Sequence, residues 1–73
     1  MAAPTLDLTP REREILAHLV DGLTNKEIAQ RLMLSPRTVE THVERVLDKL
    51  QVGSRSRAIA MALRLRIVEL EPA

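Results

Sequence analysis

Six residues in the stretch Ser35–Leu50, SPRTVETHVERVLDKL, are of types that could engage a partner chemically: Arg37, Glu40, Thr41, Glu44, Arg45 and Asp48. At about 100° per residue they fall on one side of a helix, at several levels along its axis. Guanidinium, carboxylate and hydroxyl groups in that array donate and accept hydrogen bonds without making or breaking covalent ones. The chain has no Cys and no Tyr, and its two histidines, His18 and His42, are isolated. No nucleophile–base pair or metal constellation can be assembled from this inventory, so neither enzymatic activity nor a bound metal or cofactor is expected. His18 reads as a partly exposed structural histidine. A solvated amphipathic helix would carry the same charged face, so the reading depends on the elements that present it.

Those elements are well signalled. Ser35 is a favoured N-cap, and Pro36 fits the first helical turn, where its missing N–H is no loss. Val39, Val43, Val46, Leu47 and Leu50 gather into an apolar stripe opposite the charged one, which predicts a helix over 36–50 with one face on a core. Upstream, Thr9-Pro10-Arg11-Glu12 and Thr24-Asn25-Lys26-Glu27 both match the capping box. They predict helices over 10–21, closed by Gly22 in the left-handed conformation, and over 25–33. Ile15, Leu16, Leu19 and Val20 form the inner face of the former, and Ile28, Ala29 and Leu32 that of the latter. Only a very short turn is left before Ser35, which gives the helix-turn-helix arrangement. Ser54 caps a fourth helix, expected over 55–68 and apolar nearly all round, with Arg64 and Arg66 as its interruptions. The fold class is therefore all-α, four helices spanning 9–68, with 1–8 a flexible lead or linker remnant and 69–73 a frayed end. A helix apolar on most sides is buried on more than one. A second copy of the chain is expected on its outer side, through Ala60, Met61, Leu63, Arg64 and Ile67; an upstream domain is the alternative cover.

Composition narrows the partner. In 73 residues there is room for one modest core, and without Phe, Trp or Tyr that core is built from Leu, Ile, Val, Met and Ala. Base stacking on aromatic platforms is excluded as a binding mode. No apolar run is long enough to cross a bilayer and Met1-Ala2-Ala3-Pro4 is not a signal peptide, so a soluble, cytoplasmic protein is expected. The net charge is only +1, but it is unevenly spread: from Thr24 to Arg66 nine basic residues face four acids, a balance of +5, and the remainder carries −4. One surface is therefore suited to a polyanion. The major groove of duplex DNA, about 12 Å wide, admits one helix. Asn25, Lys26, Ser35, Arg37, Thr38, Lys49, Arg55 and Arg57 are the candidates to meet phosphates, several of them at helix N-termini, where the dipole favours an anion. Glu40, Thr41, Glu44 and Arg45 are the candidates to read bases.

The run LTPREREIL…GLTNKEIAQRL…LSPRTVETHVERVLDKLQVGSRSRAIAMAL resembles the LuxR-type helix-turn-helix domain, the output module of NarL/FixJ response regulators, quorum-sensing regulators and GerE-like proteins. The resemblance covers Leu8 to Val68 in order and without gaps. It implies a DNA-binding domain of a bacterial transcription regulator whose third helix reads the major groove and whose fourth mediates dimerisation. It makes His42 a half-buried framework position. Glu40 and Glu44 depart from well-known relatives, which carry lysine there, so these acids either read cytosine edges or weaken non-specific binding, and base preference cannot be borrowed. Two other readings stay open. A sigma-factor promoter-binding domain shares the LTPRER…GLT…EIA texture and would add RNA polymerase as a partner, although the T-H-V run and the Gln51–Ala58 link favour the LuxR type. A protein-interaction module of the same fold would use Glu40, Glu44 and Asp48 on its exposed face.

Overall fold

The computed structural model describes residues 7–66. Its element order is α1 (Pro10–Val20), α2 (Asn25–Leu32), α3 (Pro36–Leu50) and α4 (Arg55–Arg64), with no strand among the described residues. Each start is set locally by an oxygen-bearing side chain. Thr9 and Thr24 each accept from the amide three residues on, and Glu12 and Glu27 return the bond to the cap amide, so both capping boxes are complete. Ser35 accepts from Thr38 N and Ser54 from Arg57 N. Each such bond satisfies an amide that has no partner inside its own helix.

The ends are set by backbone conformation. After α1 Gly22 takes φ 85°, and Leu23 N donates to His18 O at 3.1 Å. After α2 and α3 the same left-handed conformation falls to residues with side chains, Met33 and Gln51, both at φ 57°. In the corner between α2 and α3, Met33 N and Leu34 N both donate to Ala29 O. The chain must turn there without a glycine, and Met33 is left 92% exposed.

α3 packs against each of the other three helices, and α1 also packs on α4. The core lies between them, built from Ile15, Leu16, Leu19, Ile28, Ala29, Val39, Val43, Val46, Leu50, Ala58 and Ala62, with Leu8 closing one end. With no aromatic to fill space, close approach depends on small residues at the crossings: Ala29 on α2, and Ala58 and Ala62 on α4, are buried.

The fourth helix is shorter than its apolar run suggests. It stops at Arg64, with Leu65 and Arg66 in a turn, rather than running to 68; 67 and 68 lie outside the described residues. Past Ala62 none of the described residues is buried: Leu63 and Leu65 are 40% and 39% exposed. The expected ends of α1 and α2 likewise move in by one residue, to Val20 and Leu32, because Asp21 and Met33 act as caps.

Candidate nucleic-acid interface

The outer face of α3 is presented as its periodicity requires. Val39, Val43, Val46 and Leu50 are buried and Leu47 half-buried, while Arg37, Glu40, Thr41, Glu44, Arg45 and Asp48 are all exposed. None of the five charged side chains in that set forms an ion pair or side-chain hydrogen bond among the described residues, although Arg37 and Glu40 stand one helical turn apart. Their hydrogen-bonding capacity is unspent. Thr41 differs, since its hydroxyl donates to Arg37 O at 3.2 Å. That bond uses the proton and leaves the methyl group and oxygen lone pairs of Thr41 for a partner. At the N-terminus of α3, Ser35 and Thr38 join through their hydroxyls at 2.9 Å, both exposed.

A second group of expected contact residues converges through tertiary structure. Arg55, first residue of α4, donates from Nη2 to Asn25 Oδ1 at the start of α2, which joins two helix N-termini. Lys26, one residue on from Asn25, is exposed, and so is Arg57, which lines a groove on α4. Two positive dipole ends and the Arg55 guanidinium are thereby held together, with Lys26 close by in the chain, an arrangement suited to phosphates.

Lys49, expected among the phosphate contacts, has another occupation. Its ammonium donates to Glu12 Oε1 at 2.7 Å and to Asp7 O at 2.8 Å. Glu12 is 3% exposed and the same oxygen accepts from Thr9 N at 2.9 Å. The Lys49 hydrogen bond, helped by those from Thr9, holds the Glu12 carboxyl below the usual glutamate range against the opposing effect of burial. Glu27, exposed in its own capping box, is lowered by the bonds from Thr24. The Glu12–Lys49 pair ties the chain entering α1 to the last turn of α3. Its sequence signal was only half visible: Glu12 stood out as a capping residue, but nothing local pairs it with a lysine 37 positions on.

The expected association residues divide in the same way. Ala60, Leu63 and Arg64 are exposed on α4 and Met61 is half-buried; with Val52 and Arg57, three of them (Ala60, Met61 and Arg64) line an open groove. Ile67 lies outside the described residues. His18 and His42 are half-buried, and the Nδ1 atom of each finds no hydrogen-bond partner among the described residues. No described helix is long and apolar enough to cross a membrane.

Comparison with known proteins places these features in a family. The family described as "Bacterial regulatory proteins, luxR family" matches residues 6–62. The transcriptional regulatory protein LiaR of Bacillus subtilis is 43% identical over 67 residues, covering 92% of this chain and 32% of LiaR. FixJ of Bradyrhizobium diazoefficiens is 41% identical over 64 residues, covering 88% and 31%. The chain thus spans about a third of the length of LiaR and of FixJ. Among solved structures, the transcription factor GerE superposes with a TM-score of 0.80 at 42% identity, over 88% of this chain and 96% of GerE. The response regulator ChrA of a heme-sensing two-component system superposes at 0.81 and 39% identity, over 90% and 33%. With the four helices, the corner at Met33–Leu34 and the match over 6–62 in agreement, this chain belongs to the luxR family of bacterial regulatory proteins as a helix-turn-helix domain of transcriptional-regulator type.

Proposed function

We propose that the chain is a sequence-specific binder of double-stranded DNA, the output domain of a bacterial transcription regulator, with α3 in the major groove. The observation that carries this reading is the outer face of α3, where Arg37, Glu40, Glu44 and Arg45 are exposed and have no partner among the described residues. Backbone positioning falls to Asn25, Lys26, Ser35, Arg37, Thr38, Arg55 and Arg57, and base reading to Glu40, Thr41, Glu44 and Arg45. Lys49 contributes through the fold, since its ammonium is already engaged. Two copies associate through the exposed apolar side of α4, at Ala60, Met61, Leu63 and Arg64, with Ile67 beyond. A dimer of this kind places two recognition helices on half-sites one turn apart, about 34 Å. A regulator that acts by direct contact would take RNA polymerase as a second partner; one that occupies the promoter would not need it. The cytoplasm is where both are met.

A pair of variants tests the division of labour. Arg37→Ala should weaken binding to random and selected duplexes alike and reduce the salt slope by about one charge, whereas Glu40→Ala should alter sequence preference more than bulk affinity. Equal gains in affinity for every duplex on removing Glu40 would refute base reading by that residue. Indifference of both variants to DNA would favour the protein-interaction reading, with Glu40, Glu44 and Asp48 as its surface.

A further inference from the structure

We infer that the half-site selected by this domain carries two cytosines about two base-pair steps apart, held through their N4 amino groups by Glu40 and Glu44, and that methylation at N4 disrupts the recognition. This rests on the DNA-binding reading and specifies its target.

Two carboxylates on a groove-facing helix are a cost unless each finds a donor. Groove walls are lined with phosphates, which repel them. Neither Glu40 nor Glu44 is neutralised within the fold: both are exposed, and no ion pair with Arg37 or Arg45 forms among the described residues. They reach a partner with all acceptor sites open, and an ionised carboxylate can only accept. On the major-groove edge the base donors are the N6 amino group of adenine and the N4 amino group of cytosine. The adenine donor stands between two acceptors, its own N7 and the O4 of the paired thymine, and both repel a carboxylate. The cytosine donor has an acceptor on one side only, guanine O6, with C5–H on the other. Cytosine is therefore the base that these acids fit. Arg45, next in the chain after Glu44, offers the complementary donors for guanine O6 and N7.

Spacing follows from the helix. Residues four apart rise about 6 Å along the axis, against about 3.4 Å per base-pair step, so the two acids meet bases roughly two steps apart. A wrong base leaves a carboxylate desolvated, repelled and unpaired, so the same groups that accept cytosine reject other sequences. N4-methylcytosine isolates this contact. Pairing with guanine retains one N4–H, so the methyl group takes the position that points into the groove. The base pair survives and the donor is lost.

The test is selection of a duplex from a random pool with the full 73-residue chain. Anisotropy follows on the selected duplex carrying cytosine, 5-methylcytosine or N4-methylcytosine at the conserved positions. The expected half-site contains the two spaced cytosines, and each N4-methyl group lowers affinity roughly five- to 150-fold. Glu40→Gln should relax one of the two positions to accept adenine as well as cytosine, and Glu44→Gln the other, because a glutamine amide both donates and accepts. Salt-dependent binding with a half-site lacking the cytosine pair, or affinity indifferent to N4-methylation, would overturn the inference and leave DNA binding standing. Absence of duplex binding at low salt would overturn both.

Discussion

The last turn of α3 sends Lys49 inward, where its ammonium meets the buried Glu12 carboxylate and the Asp7 carbonyl. Over the earlier turns of the same helix Arg37, Glu40, Glu44 and Arg45 are exposed and make no ionic contact among the described residues. Charge at one end is spent on the fold; the charges of Arg37, Glu40, Glu44 and Arg45 have no ionic partner among the described residues. The two regions should respond oppositely to substitution, the inner one losing stability and the outer one changing only what is bound.

The largest loss is expected in the core beneath both regions. Leu16 is fully buried, so Leu16→Ala should cost about 2–5 kcal/mol in urea denaturation followed by far-UV circular dichroism. Lys49→Met comes next. It removes the cation from a buried carboxylate, and since the Lys49 side chain is itself 33% exposed the loss should be about 2–3 kcal/mol rather than the full value for a buried pair. Acid sharpens the same point. Because folding lowers the Glu12 pKa, its contribution is complete above the ordinary value of 4.5 and disappears as pH falls through the lower folded value. Wild type should therefore lose stability on acidification below that point, and Glu12→Gln, already less stable, should lose less. Thr24→Ala removes a complete capping box from a short helix and should cost about 1 kcal/mol. Smallest of all, Arg37→Ala and Glu44→Gln should leave stability within about 0.5 kcal/mol of wild type, since neither side chain has a partner to lose among the described residues. A large loss there would mean that the outer face is structural after all.

What was legible in the sequence was local. Thr9, Thr24, Ser35 and Ser54 each act at a distance of three residues, and all four caps stand where their side chains predict. The stripes of α1 and α3 follow from 3.6-residue periodicity, which any short window reveals. The pairings of Glu12 with Lys49 and of Asn25 with Arg55 join residues far apart in the chain, so they become visible only once the helices pack. Lys49 reads as one more basic residue of a basic segment until its partner is in view. The end of α4 was hidden for a related reason. No glycine or proline stops the run from Ala58 to Val68, and the helix ends at Arg64 because Ala62 is its last buried contact with the core. Met33 shows the reverse case, in which a tight corner imposes the left-handed conformation on a residue whose type does not announce it.

Whether the unspent charges of α3 and its neighbours serve a polyanionic duplex is decided by anisotropy of a labelled random duplex titrated with the wild-type chain across a salt series. The label is placed on the DNA because the protein has no aromatic residue. Affinity should fall log-linearly with salt, at a slope corresponding to several phosphate contacts. No binding at low salt, or binding indifferent to salt, would contradict the account.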